Sequence, residues 1–136
     1  MCRPQFRNLF LPGLSHQPTT PSTMADDIFD RLMTELHRRV SELPEGSYTT
    51  KLLQGGVSKI GSKILEEANE VIEAAAEPGE AGREHTIREA GDVIYHLWVL
   101  LASRGIAVDD VRKELERREG VSGLQEKRQR GQEKVS

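Results

Sequence analysis

The chain of 136 residues carries 19 Lys and Arg against 22 Asp and Glu, a formal net charge of −3, and only 4% of its residues are aromatic. That length holds one domain with a modest core, and a slightly acidic chain whose basic residues are interleaved with acids argues against a nucleic-acid backbone as partner. The single cysteine, Cys2, allows no internal disulfide and fits a reducing cytoplasm, and the longest apolar stretch, residues 93–102, is too short to span a bilayer, so no membrane partner is expected.

Residues 1–24 contain Arg3 and Arg7, no acid and four prolines, and lack the continuous apolar core of a secretory signal. They read as a disordered extension, with Met24 as an alternative start. The folded part is expected over residues 25–119. Ile28, Phe29, Leu32, Met33, Leu36, Val40 and Leu43 recur at helical spacing, which predicts a first helix capped by Asp26 and ended by Pro44-Glu45-Gly46. Ser47 opens a short helix over residues 47–54, closed by Gly55-Gly56. A long helix follows over about residues 57–77, stopped by Pro78-Gly79, and another over about 83–104, stopped at Gly105. Asp109 or Asp110 starts a last helix that runs to Glu119, and residues 120–136, rich in Gly, Gln and charge, read as a charged flexible tail. Without strand alternation or an internal repeat, the fold class is an all-α bundle of four to five helices.

Two acidic clusters stand out on the two long helices: Glu66-Glu67-Ala68-Asn69-Glu70 and Glu89-Ala90-Gly91-Asp92. Carboxylates one turn apart on neighbouring helices converge on a small volume, and bound cations make that tolerable. On a helical wheel Lys59, Lys63, Glu66, Glu70 and Glu73 share a polar sector, with Val57, Ile60, Ile64, Ala68, Val71 and Ala75 opposite and Glu67 on the border. The helix of Glu89 and Asp92 is apolar nearly all round, through Val93, Ile94, Leu97, Trp98, Val99, Leu100, Leu101 and Ala102, which predicts a central position. Buried carboxylates cost several kcal/mol each unless protons, partners or metal neutralise them. A hard divalent cation suits an all-oxygen shell, which points to a magnesium-dependent enzyme acting on phosphates. The plainer alternative makes Glu66, Glu70 and Glu73 a solvated face paired with Lys63, and it requires Arg83, His85 or Arg88 as ion-pair partners for Glu89 and Asp92. His96 reads as a core histidine rather than a ligand, since magnesium prefers oxygen.

Glu66-Glu67-x-x-Glu70 followed by Glu89-x-x-Asp92 resembles the metal-binding signature of the all-α nucleoside triphosphate pyrophosphohydrolases, the superfamily of MazG-like and dimeric dUTPase-like enzymes. Within it, Ser47-Tyr48-Thr49, Lys51-Leu52, Gly61 and Asp92-Val93-Ile94-Tyr95-His96-Leu97 are similar to the phosphoribosyl-ATP pyrophosphatase family of histidine biosynthesis, over about residues 26–118. The resemblance implies hydrolysis of phosphoribosyl-ATP to phosphoribosyl-AMP and pyrophosphate with Mg²⁺ as cofactor, Glu67, Glu70, Glu89 and Asp92 as metal ligands, and Glu66 as the catalytic acid that binds a second ion or orients water. Lys51, Lys59 and Lys63 are the candidates for the phosphates, and a homodimer is expected to complete the bundle. The alternatives are a house-cleaning pyrophosphohydrolase for other nucleoside triphosphates and a non-enzymatic helical dimerisation module.

Overall fold

The computed structural model describes residues 27–119 and 123–134, so the expectations for residues 1–24 and for Asp26 lie outside the described residues. Five helices follow in order: α1 (Ile28–Glu42), α2 (Tyr48–Ala75), α3 (Gly79–Ser103), α4 (Val108–Arg118) and α5 (Gly123–Glu133). The described residues contain no strand, and the all-α fold class holds. Within the segment expected as a charged tail, α5 is helical and its side chains from Lys127 onward are exposed.

Local chemistry sets the ends. The cap of α1 is Asp27 rather than Asp26: its Oδ1 accepts the backbone N–H of Asp30 at 3.0 Å, which requires the cap to sit three residues ahead of that amide. Ser47 caps α2, accepting from Thr50 N. At the start of α4 the Asp110 carboxylate accepts the N–H of Ala107 at 2.9 Å. The two helices expected on either side of Gly55-Gly56 join into one, broken only at Gly56, whose φ of 72° and ψ of −169° fall in a region that is essentially reserved for glycine. The helix expected to begin near Arg83 begins instead at Gly79, because α3 turns back on α2 after a corner of only three residues, 76–78.

That corner makes α2 and α3 an extensively packed antiparallel pair, and α1 lies across α3 while touching α2 and α4. The corner packs tightly. A Cβ on the buried Gly82 would come within 2.1 Å of the Glu77 carbonyl oxygen, so only glycine admits this approach. Met33 and Leu36 of α1, Leu52 and Ile60 of α2, Val99 and Ala102 of α3 and Val108 of α4 form the core. At its α1 edge the Trp98 indole N–H donates to the Phe29 carbonyl at 3.1 Å.

The helical wheel of α2 is rotated relative to the expectation. Ile60, Glu67 and Ala74, at a spacing of seven, are the buried line, so Glu67 lies at the centre of the buried face and not on its border. Val57, expected inside, is 59% exposed, as are Leu65 (69%) and Ile72 (68%). The physical reason is that α2 carries two apolar stripes, and the single chain covers only the one facing α3. Helix α3 shows the same shortfall: His96, Val99 and Ala102 are buried, but Ile87 and Leu97 are exposed.

Candidate active site

The packing of α2 on α3 brings Glu67 against Glu89 and Asp92, and one carboxylate oxygen from each lies within 4.8 Å of the other two. Glu89 and Asp92 share a face of α3 because they are three residues apart. Glu67 is 2% exposed and Glu89 4%, so this is a buried seam of negative charge. Burial, the adjoining Glu70 carboxyl and the charge of Asp92 together push the Glu67 carboxyl up to about 7, with Lys63 pulling the other way. Glu67 Oε2 is buried without a hydrogen-bond partner among the described residues. An orphaned buried carboxylate oxygen facing two further carboxylates is the donor set a hard divalent cation takes, and the residues present therefore fit such an ion.

Three polar groups frame the seam. Lys63, on the flank of α2, reaches Glu66 at 2.9 Å and Glu67 at 3.5 Å; burial opposes its charge, but the carboxylates outweigh this and raise its pKa. Buried His96 donates from Nδ1 to the Asp92 carbonyl oxygen at 2.8 Å, since that oxygen can only accept. Its Nε2 is then the acceptor for the Tyr48 hydroxyl at 3.1 Å. Burial lowers the pKa of His96 and pushes the Tyr48 phenol up to about 12, so both remain neutral and the bond is fixed in direction. The third is His85, whose ring nitrogens meet Glu77 Oε1 and Glu89 Oε1, each at 2.9 Å.

Behind the seam, Arg39 Nη1 donates to Thr49 Oγ1 at 3.1 Å, and Thr49 shares a 2.5 Å bond with the Tyr95 hydroxyl. This buried chain ties α1, α2 and α3 together next to the Tyr48–His96 pair.

Residues 29–119 match the phosphoribosyl-ATP pyrophosphohydrolase family. The chain belongs to that family. It is 64% identical over 107 residues to the phosphoribosyl-ATP pyrophosphatase of Rhodopirellula baltica, a match covering 79% of this chain and 89% of the relative. It is 46% identical over 105 residues to the enzyme of the same name from Dechloromonas aromatica, covering 77% of this chain and 94% of the relative. It is also 43% identical over 119 residues to the histidine biosynthesis bifunctional protein HisIE of Wolinella succinogenes, covering 87% of this chain and 51% of that longer relative.

Of the residues singled out in the sequence, this family member brings together Glu67, Glu89 and Asp92, with Glu70 against Glu67. Glu66 is not among them: its side chain is 52% exposed and pairs with Lys63 on the flank of α2. Lys51 and Lys59 are exposed, and the stem of Lys59 runs over Gly55, where a Cβ would meet its Cδ at 2.3 Å. The plainer alternative named His85 as a partner of Glu89, and the two do meet, Nε2 lying 2.9 Å from Glu89 Oε1. What the sequence did not reveal is that His85 also reaches Glu77. Its position four residues before Glu89 was the visible half of that arrangement.

Proposed function

We propose that this chain hydrolyses phosphoribosyl-ATP to phosphoribosyl-AMP and pyrophosphate in histidine biosynthesis, using Mg²⁺ held by Glu67, Glu70, Glu89 and Asp92. The observation that carries the magnesium reading is the convergence of buried Glu67 and Glu89 with half-buried Asp92, Glu67 Oε2 having no hydrogen-bond partner among the described residues. When bound, Mg²⁺ supplies positive charge that screens the polyphosphate oxygens and acidifies water. The reaction consumes one water, breaks one P–O bond in line and releases pyrophosphate. Glu66, exposed beside the seam, orients the attacking water. Lys63 is shared between Glu66, Glu67 and the incoming phosphates, and Lys59 and Lys51 extend the cationic contacts along α2. The Tyr48–His96–Asp92 chain holds the α3 backbone at Asp92 in place from behind. The reading includes a cytoplasmic setting, which fits a chain with one cysteine and no internal disulfide.

The test is pyrophosphate release from phosphoribosyl-ATP beside ATP, dCTP and dUTP, with and without chelator. The triphosphate grip is common to all four, so selectivity has to come from groups meeting the base and the second ribosyl phosphate. A charged contact present for one substrate only is worth about 3 kcal/mol, which predicts at least about a hundredfold preference in kcat/KM for phosphoribosyl-ATP. Comparable rates on the common triphosphates would favour the house-cleaning activity, and turnover unaffected by chelator would remove the metal.

The protein is further proposed to be a homodimer. Val57, Leu65 and Ile72 lie within about 80° on one face of α2, and exposed apolar residues of that size on α2, with Ile87 on α3, fit burial against a second copy. Leu65→Asp should yield monomers. A wild-type monomer in sedimentation at micromolar concentration would contradict the assembly.

A further inference from the structure

We propose that His85 is the positioning residue of Glu89: it holds that carboxylate in its ligand orientation through Nε2 and is itself held by Glu77 through Nδ1. The inference rests on the magnesium reading of the seam and adds to it a component on the far side of Glu89.

The ring meets a carboxylate oxygen at each of its two nitrogens, each at 2.9 Å, and contacts at opposite ends of the ring leave it one orientation. The His85 side chain is only 13% exposed, and its i,i+4 relation to Glu89 puts both residues on one face of α3. Glu89 has three side-chain torsions and faces the carboxylates of Glu67 and Asp92, whose charge repels it. A carboxylate offers about four lone-pair sites, so the bond to His85 restrains Glu89 and still leaves it the capacity to bind a cation.

The anchor at the other end is equally specific. Glu77 belongs to the corner between α2 and α3, and that corner exists in this form because Gly82 lets the first turns of α3 close onto the Glu77 backbone, leaving no room for a Cβ. Thr86 Oγ1 donates to the Gly82 carbonyl at 2.8 Å and firms the same turn. Corner, Glu77, His85 and Glu89 thus form a continuous chain from the helix turn to the candidate ligand. Partners that orient a ligand in this way typically account for about 10- to 100-fold in metal affinity.

Two variants separate the bonds. The amide nitrogen of Gln reaches about where Nε2 lies, so His85→Gln keeps the donor to Glu89 and drops Glu77. The shorter Asn reaches about where Nδ1 lies, so His85→Asn keeps Glu77 and drops Glu89. Binding of Mn²⁺, as a substitute for Mg²⁺, is measured by calorimetry on metal-free protein, alongside the Mg²⁺ activation constant and kcat. We expect His85→Asn to bind Mn²⁺ about 10- to 100-fold more weakly than wild type, with kcat at saturating Mg²⁺ changing much less, and His85→Gln to stay within about threefold of wild type, since the oriented donor is retained. Equal affinity in wild type and His85→Asn overturns the role of His85 while leaving the metal reading intact. Equal losses in both variants overturn it as well, because they would show a role in packing. Wild-type protein that binds no Mn²⁺ overturns the magnesium reading and this inference with it. A measurement on the wild type needs no variant to fold: saturation with Mg²⁺ should shift the nitrogen resonances of the His85 ring, and unmoved resonances would overturn the proposal.

Discussion

Acidic residues meet opposite fates in two regions of this molecule. Along α1 they are matched with arginine. Asp30 takes two bonds from Arg112, at 2.8 and 2.6 Å, and Glu35 lies against Arg38 and Arg39. The Arg38 hydrogen bond outweighs the effect of partial burial and, with Arg39, holds Glu35 down to about 2. In the α2–α3 seam the balance reverses: burial and the neighbouring acids Glu70 and Asp92 push Glu67 up to about 7, with Lys63 pulling the other way at 3.5 Å. Carboxylates that the chain itself neutralises belong to the scaffold. Carboxylates gathered faster than the chain neutralises them mark the place where something from outside is bound.

The comparison breaks most visibly on the seam side. Replacing Glu67, Glu70, Glu89 or Asp92 by the corresponding amide removes the charge of a proposed ligand with little change in volume, and turnover should fall by about a thousandfold or more, the several kcal/mol of charge stabilisation that a metal ion supplies. In the presence of chelator, at neutral pH, the Glu67→Gln protein should melt higher than wild type, since one of several mutually repelling carboxylates is gone. Full activity in Glu89→Gln and Asp92→Asn would sink the assignment of the seam as the site.

Between the two regions lies the Gly56 kink, with Thr49 and Leu52 of the scaffold on one side and Lys63 and Glu67 of the site on the other. Any other residue there must adopt a backbone conformation that costs about 1–3 kcal/mol. Gly56→Ala should lower the urea midpoint accordingly, and because the kink sets the direction of the site half of α2, its kcat should fall as well. An unchanged midpoint would mean that α2 straightens without penalty.

How much of this was legible in the sequence follows from which interactions are local. The ends of α1 to α4 were readable within a few residues because caps, prolines and glycines act on their own neighbours; Asp27 took the place of Asp26 by one position. The approach of Glu67 to Glu89 and Asp92 could be inferred from spacing on two adjacent helices. The rotation of α2 could not, since a helix with two apolar stripes has no single inward direction, and only the packing on α3 decides that Ile60, Glu67 and Ala74 face in while Leu65 and Ile72 face out. The Glu77 end of the His85 bridge was hidden for a different reason. It depends on how tightly the chain turns between α2 and α3, which a missing Cβ at Gly82 permits but no spacing rule reports.

The smallest expected effect lies on the scaffold side and sharpens the contrast, because the same chemical change should have the opposite sign there. Glu35 is held at about 2, below the ordinary 4.5, so its pairing stabilises the fold above about pH 4.5 and is lost as the pH falls through about 2. Arg38 is 47% exposed, and solvent screening limits the contribution to about 1 kcal/mol. Glu35→Gln should therefore be less stable than wild type by about that amount at neutral pH, with the difference closing between about pH 4.5 and about pH 2. Urea midpoints measured across that range decide it. A deficit that persists undiminished in acid would assign the loss to the packing of Arg39 on Thr49 rather than to charge, and Glu35 would no longer serve as the paired counterpart of Glu67.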